Sequence, residues 1–172
     1  MRKISVSLAG IGLLGLALMT ALAIANAKRT AADVLGGNDV VATIEKAEKV
    51  EIFRLADMQF FQDKPADYKV NGEAVALDPK MASSLATTLV AFDSYEREVA
   101  KACEPIFGVK AVFTQGESKV DVVFCFSCEI LAVYHQGKHT GDGNFDPANA
   151  KLVALVKQLF PKDKAIQAIG TK

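Results

Sequence analysis

The longest run of regularly spaced apolar residues begins after Asp78 and ends near Pro105. Asp78 can accept hydrogen bonds from the free N–H groups of a first helical turn, and Pro79 stands where a missing N–H costs nothing. Pro105 cannot continue a helix. We therefore predict one long helix whose buried stripe ends at Cys103. The stripe consists of Met81, Leu85, Leu89, Phe92, Val99 and Cys103.

A second helix is predicted to begin after Asp146 and to end before Pro161. Asp146 is again followed by a proline and is expected to act as the cap. A shorter helix is predicted over residues 39–49. Beyond the second helix, Ile166 and Ile169 are expected to pack the tail against the core. The apolar face of the second helix consists of Leu152, Val153, Val156, Leu159 and Phe160.

Short stretches rich in β-branched and aromatic residues predict strands between these helices. Residues 115–118 contain the turn of a hairpin, so the strands that it joins should be antiparallel neighbours. Residues 137–144 are rich in glycine and are predicted to form a loop. The fold class is therefore α+β, with an antiparallel sheet of four or five strands and two main helices packed on one face. The predicted strands span residues 50–55, 73–77, 109–114, 119–126 and 129–136.

The first 27 residues have the three parts of a secretory signal peptide. Arg2 and Lys3 are followed by an uncharged apolar run, and the run ends in the small-residue pattern Ala25-Asn26-Ala27. We predict cleavage after Ala27, although an apolar run of this length could also remain as a membrane anchor. Residues 28–38 are then a flexible leader and residues 39–172 a single domain. Such a signal indicates a bacterial protein that is periplasmic or secreted.

Composition narrows the classes of partner. Removal of the signal peptide leaves 145 residues, enough for one domain with a substantial core. The whole chain has 20 basic and 20 acidic residues, and the signal peptide takes two of the basic ones, so the mature net charge is −2. A nearly neutral chain of interspersed charges does not favour nucleic acid or an anionic membrane as a partner. No cofactor motif is recognised, and the partner stays unknown.

Candidate chemistry lies mainly in residues 125–139. Cys125 and Cys128 form a C-x-x-C pair, and His135 and His139 follow, which suggests a zinc site at first sight. If the intervening residues form a strand, however, His135 lies roughly 23 Å from Cys128, whereas zinc ligands must meet within about 2.3 Å of one ion. Both histidines are therefore expected to be solvated surface residues.

The three cysteines leave a structural and a reactive interpretation. A redox C-x-x-C normally precedes a helix, which lowers the pKa of the thiol, but here a strand is predicted to follow. We favour a structural disulfide from Cys103 to Cys125 or Cys128, which would stabilise the fold by about 3 kcal/mol. The pairing stays open at this point. The alternative is a thiol-redox or metal-binding protein that uses all three cysteines, but without a convergent acid–base set a protein that is not an enzyme is favoured.

The second half of the chain resembles a group of small uncharacterised bacterial exported proteins. Their shared pattern is a C-F-x-C strand corner, a following strand, and a helix that ends in F-P-x-D. The resemblance covers about residues 100–169 and implies one exported domain, without an activity. The matching residues here are Cys125, Phe126, Cys128, Phe160, Pro161 and Asp163.

Overall fold

An antiparallel sheet forms the centre of the computed structural model, which describes residues 30–96 and 99–170. Its strands are β1 (Lys49–Gln59), β2 (Val75–Ala76), β3 (Phe107–Gln115), β4 (Ser118–Cys125), β5 (Ile130–His135) and β6 (Lys138–Asn144). They lie in the order β2-β1-β3-β4-β5-β6, and every neighbouring pair is antiparallel. The predicted signal peptide lies outside the described residues and stays a prediction.

The described residues also form five α-helices, which pack on one face of the sheet. They are α1 (Ala31–Leu35), α2 (Asn38–Glu45), α3 (Pro79–Val90), α4 (Asn149–Leu159) and α5 (Lys164–Gln167). Leu35, Ile44, Leu89, Val153 and Ile166 bring all five into one core with the inward side chains of the strands. The α+β class is therefore confirmed. The finer prediction is corrected: there are six strands instead of four or five, and three helices of eight or more residues instead of two.

The glycine-rich segment 137–144, predicted as a loop, is mostly the edge strand β6. Its glycines let α1 approach closely: a Cβ at Gly141 would lie 2.1 Å from the carbonyl oxygen of Val34. The leader over residues 28–38 was expected to be flexible, but it contains α1, whose Leu35 is fully buried. The two corrections are related, since α1 packs against β6 where Gly141 leaves room for close backbone contact.

The long helix predicted up to Cys103 is also corrected, because α3 ends at Val90. Two side chains that follow it bind its last carbonyl groups: Ser94 Oγ donates to Thr88 O at 2.6 Å, and Tyr95 Oη donates to Leu89 O at 2.5 Å. These bonds satisfy acceptors that a continued helix would otherwise use. Cys103 consequently lies in a segment without regular secondary structure and is exposed, not at the end of a buried stripe.

The opposite face of the sheet is covered by the connection between β1 and β2. Tyr68 from this connection is buried against Tyr134 of β5, and their hydroxyl oxygens are 3.0 Å apart. The Tyr134 hydroxyl also donates to Gln62 O at 2.6 Å. These residues belong to a second buried cluster, on the face of the sheet opposite the helices. It consists of Leu55, Tyr68, Phe107, Val123, Cys125, Cys128, Ala132 and Tyr134.

None of the helices in the described part of the chain is long and apolar enough to cross a bilayer.

Candidate functional site

The three cysteines meet at the corner between β4 and β5. A disulfide joins Cys103 to Cys128, with their Cα atoms 6.1 Å apart. Cys125 is a fully buried free thiol, and its Sγ lies 3.3 Å from Ser127 Oγ. The predicted disulfide is therefore present, and Cys128, rather than Cys125, is the partner of Cys103.

The corner itself explains how two cysteines three residues apart share one side of the sheet. β4 ends at Cys125, and Glu129 adopts a positive φ of 55° just before β5 begins. Cys125 and Cys128 both join the second cluster, whereas Phe126 between them packs into the helix-side core. A turn and a strand follow Cys125, so the C-x-x-C pair does not precede a helix whose N-terminus could activate either thiol. Within residues 30–96 and 99–170, no three His, Cys, Asp or Glu side chains are grouped to hold a metal ion.

Lys101 lies at the centre of a polar network beside the disulfide. Its Nζ donates to the backbone oxygen of Cys128 at 2.6 Å and to Asp146 Oδ2 at 2.6 Å, and lies 3.3 Å from Glu129 Oε2. Asn149 Nδ2 donates to Glu129 Oε1 at 2.9 Å. Glu129 is only 3% exposed, so its carboxylate is held by an ammonium group and an amide instead of water.

Asp146 has a different role from the predicted one. Its carboxylate binds Lys101 and is not the side-chain cap of α4, whose start is preceded by a short 3-10 turn from Asp146 to Ala148. Partial burial raises the pKa of the Asp146 carboxyl, but hydrogen bonds, with that from Lys101 foremost, outweigh this effect and hold the pKa below its usual value. The sequence identified a special aspartate here and assigned it the wrong partner.

A cleft of about 450 Å³ opens next to this network. Phe126, Ala165, Ala168 and Ile169 supply apolar walls, and Glu129 and Asn149 supply polar ones; the lining also includes Ser127 and Gly170. Asn149 Oδ1 is buried and has no hydrogen-bond partner among the residues that the structure describes. The cleft thus combines an apolar wall with an acceptor that nothing in the described chain satisfies.

Arg54 and Asp163 support the far wall of the cleft. Arg54 Nε binds Asp163 Oδ2 at 2.8 Å, and Arg54 Nη1 donates to Gly108 O at 2.9 Å. Asp163 Oδ1 accepts from the backbone N–H of Ile166 at 3.0 Å, which caps α5. Burial raises the pKa of Asp163. The hydrogen bonds from the Ile166 N–H and from Arg54 lower the pKa by more, so the net shift is downward. The Asp163 of the F-P-x-D pattern therefore fixes α5 to the sheet.

The histidines lie away from the cysteines, at the other end of β5. His135 was expected to be solvated, but its side chain is only 18% exposed: Nδ1 lies 3.2 Å from Asp39 Oδ2, and Nε2 lies 3.1 Å from Ser118 Oγ. Ser118 Oγ lies 2.8 Å from Thr43 Oγ1. Ser118, His135 and Asp39 thus contact one another in the order of a Ser-His-Asp triad. None of the three faces the 450 Å³ cleft or a second groove of 410 Å³ beside α3.

His139 lies on the edge strand, where its ring packs edge-on against Phe61 and Tyr134. The side chain is 34% exposed, so the expectation of a surface histidine holds better here than for His135. Besides these aromatic contacts, its Nε2 lies 4.0 Å from Asp142 Oδ2, and His139 takes no part in the cysteine corner.

Sequence reasoning did not identify Lys101, Glu129 or Asn149. Each is an ordinary polar residue in a stretch without a motif, and only the fold brings the three together beside the Cys103–Cys128 disulfide. The one available signal was Glu129 itself, a charged residue directly between Cys128 and a strongly apolar strand.

No protein-family model and no curated protein sequence matches this chain. Among solved structures, it is similar to the crystal structure of a proposed lipoprotein from Clostridium perfringens, at 12% sequence identity and a TM-score of 0.46. The alignment covers 79% of this chain and 100% of that one. A likeness this distant supports no statement about function.

Proposed function

We propose that this chain is an exported, non-enzymatic α+β protein whose disulfide is structural. The observation that carries the proposal is the Cys103–Cys128 disulfide, which attaches a segment without regular secondary structure to the β4–β5 corner. Disulfides of this kind form and persist in oxidising compartments, which accords with export by the N-terminal signal pattern. Cleavage after Ala27 and a periplasmic or secreted location are parts of the same proposal.

The thiol chemistry of the corner supports a structural role over a redox role. Cys125 is fully buried, and its neighbour Ser127 already contacts the thiol. Cys128 is 4% exposed, so a partner protein reaches the disulfide only from the side of Cys103. We also propose that the chain belongs with the small exported proteins that it resembles, since Phe126 and Asp163 of the shared pattern both hold structural positions.

Intact mass spectrometry of the protein expressed from the full sequence in a bacterial host tests the proposal. With alkylation in denaturant, which exposes the buried Cys125, we expect the mass of residues 28–172 with one alkylated thiol before reduction and three after reduction. A full-length mass would contradict cleavage, and three free thiols without reductant would contradict the disulfide. Insulin reduction by the purified protein that is lost in Cys128→Ser would show a redox enzyme instead.

A further inference from the structure

The dipeptide Asn71-Gly72 lies at the surface of the connection between β1 and β2. Both residues are exposed, and so are Val70 before them and Glu73 after them. Gly72 adopts a positive φ of 87°, and a Cβ placed on it would have no atom of the described chain within 4 Å except in its own neighbours. The peptide bond that joins Asn71 to Gly72 is therefore open to solvent and unobstructed.

Hydrogen bonding fixes the chain on one side of this peptide bond. The backbone N–H of Asn71 donates to Arg54 O at 2.7 Å, which holds Asn71 beside β1. In the described part of the chain, neither the side-chain amide of Asn71 nor the backbone N–H of Gly72 makes a hydrogen bond. The two groups that react in a ring closure between these residues thus have no protein partner to give up.

An asparagine that precedes a glycine is set up for an intramolecular reaction, because the nucleophile is attached next to its target. The backbone nitrogen of Gly72 attacks Cγ of Asn71, and the new N–Cγ bond closes a succinimide ring. The Cγ–Nδ2 bond breaks, and Nδ2 leaves as ammonia with the proton of the Gly72 N–H. Water then adds to either carbonyl group of the ring and opens it, which leaves aspartate or isoaspartate.

The other three asparagines of the described chain are held more firmly. Asn38 is the first residue of α2. Asn144 Nδ2 donates to Val99 O at 2.7 Å, and the buried Asn149 in α4 donates from Nδ2 to Glu129 Oε1 at 2.9 Å. Each of the three precedes a residue with a side chain, which crowds the ring closure, whereas glycine does not.

We propose that Asn71 is a site of spontaneous deamidation in the native protein, with aspartate and isoaspartate as its products. Each product adds one carboxylate to the surface of the β1–β2 connection. Isoaspartate also lengthens the main chain by one Cβ atom, between the N–H that binds Arg54 and the edge strand β2. The proposal goes beyond the structural role given above and does not depend on export or cleavage.

Incubation of the folded protein at mildly alkaline pH, followed by peptide mapping with mass spectrometry, tests the proposal. We expect conversion of amide to acid at Asn71 at least about tenfold faster than at Asn38, Asn144 or Asn149, which corresponds to a barrier lower by about 1.4 kcal/mol. An isoaspartyl methyltransferase with a labelled methyl donor should label the peptide that contains residue 71. Anion-exchange chromatography should separate the more acidic forms of the intact protein.

Three variants connect the products to the ring closure. Asn71→Gln keeps an amide on a longer side chain and should abolish them, whereas Asn38→Gln, the matched control on α2, should leave their rate unchanged. Asn71→Asp should still form isoaspartate, because it closes the same ring with loss of water instead of ammonia. Faster deamidation at another asparagine, deamidation of Asn71 only after unfolding in urea, or aspartate without isoaspartate would each overturn the proposal.

Discussion

Lys101 Nζ lies 2.6 Å from the backbone carbonyl oxygen of Cys128, so an ammonium group and a disulfide close the same corner of the sheet. Cys103, the other half of that disulfide, is two residues along from Lys101. The segment 99–106 has no regular secondary structure; besides these two ties, Asn144 Nδ2 donates to Val99 O at 2.7 Å at its start. The covalent and the electrostatic attachment at this corner can be separated by mutation.

The covalent attachment should account for a large part of the stability. Replacement of both Cys103 and Cys128 by serine removes a loop closure over 25 residues, and we expect the free energy of unfolding to fall by about 3.5 kcal/mol. Urea denaturation measures this change. Reductant should destabilise the wild type to a similar extent and leave the double variant unaffected. Equal stability of oxidised and reduced wild type would contradict a stabilising disulfide.

The electrostatic attachment should matter because Glu129 is buried. Lys101→Met removes the ammonium group that binds Glu129 and Asp146, and we expect a loss of about 3 kcal/mol because the buried carboxylate of Glu129 then loses this attraction. Lys80→Met, at an exposed position of α3, is the matched control and should change stability by less than about 0.5 kcal/mol. If the two variants lose the same stability in urea, the network is not a stabilising element.

Local chemistry explains which parts of the fold could be predicted from the sequence. The hairpin at residues 115–118, the strands on both sides of it and the Asp78 cap of α3 depend on neighbouring residues, and the structure confirms them. The end of α3 depends on the side chains of Ser94 and Tyr95, which bind the last carbonyl groups of the helix. The spacing of apolar residues contains no signal for these two hydrogen bonds.

In the candidate site too, only the features that depend on local sequence could be predicted. A disulfide was predicted because cysteines in an exported chain tend to pair, but the choice of Cys128 depends on the direction of the corner. The cleft and its network combine side chains from four separate parts of the chain, including Lys101 and Asn149. No spacing in the sequence relates them, so they became visible only with the fold.

A buried ion pair on the opposite face should be replaceable. Lys110 Nζ lies 3.8 Å from Asp121 Oδ1, and both side chains are at most 10% exposed. We expect Lys110→Met alone to lower the free energy of unfolding by about 1 kcal/mol or more, because only Lys119 Nζ, 4.0 Å from Asp121 Oδ1, then remains beside the carboxyl group. The double variant Lys110→Met with Asp121→Leu should be close to the wild type in stability. A double-mutant cycle in urea measures the coupling. Additive losses in the double variant would contradict it.

The same aspartate should give a recognisable pH dependence. Burial raises the pKa of Asp121, and the nearby Lys119 and Lys110 only partly oppose it. The folded protein therefore holds this proton more tightly than the unfolded chain does. Its contribution to stability is full below the unfolded pKa and is lost as the pH rises through the folded pKa. The stability of the wild type relative to Asp121→Asn should consequently fall as the pH is raised from about 3.5 towards 7, as measured by urea denaturation.

The contacts of His135 with Asp39 and Ser118 should hold α2 against the sheet. Thr43 Oγ1 is nearer to Ser118 Oγ than the imidazole is, so the serine is not held for attack by His135 alone. We expect a fluorophosphonate probe to leave Ser118 unlabelled, and His135→Ala to lower the free energy of unfolding by about 1 kcal/mol. Labelling that is lost in Ser118→Ala would instead identify a serine hydrolase.

Gly141 should be the most sensitive glycine of the edge strand. A Cβ there would lie 2.1 Å from Val34 O and 2.9 Å from the carbonyl carbon of Leu35, which are backbone atoms that cannot rotate away. Gly141→Ala should therefore push α1 off β6 and lower the free energy of unfolding by about 2 to 3 kcal/mol. It should also expose residues near Leu35 to proteolysis, which mass spectrometry of the fragments would locate.

Gly108→Ala provides the matched control, because it also adds a methyl group to a strand glycine. The nearest atom to its Cβ is Arg54 Nη1 at 3.6 Å, which is an ordinary contact. This variant should stay within about 1 kcal/mol of the wild type, since alanine fits the strand and only a little packing changes. The difference between the two variants then measures how much α1 contributes by lying against the edge strand. If both alanines were tolerated equally, α1 would not be packed against β6 in solution, and residues 28–38 would be the flexible leader that their sequence suggests.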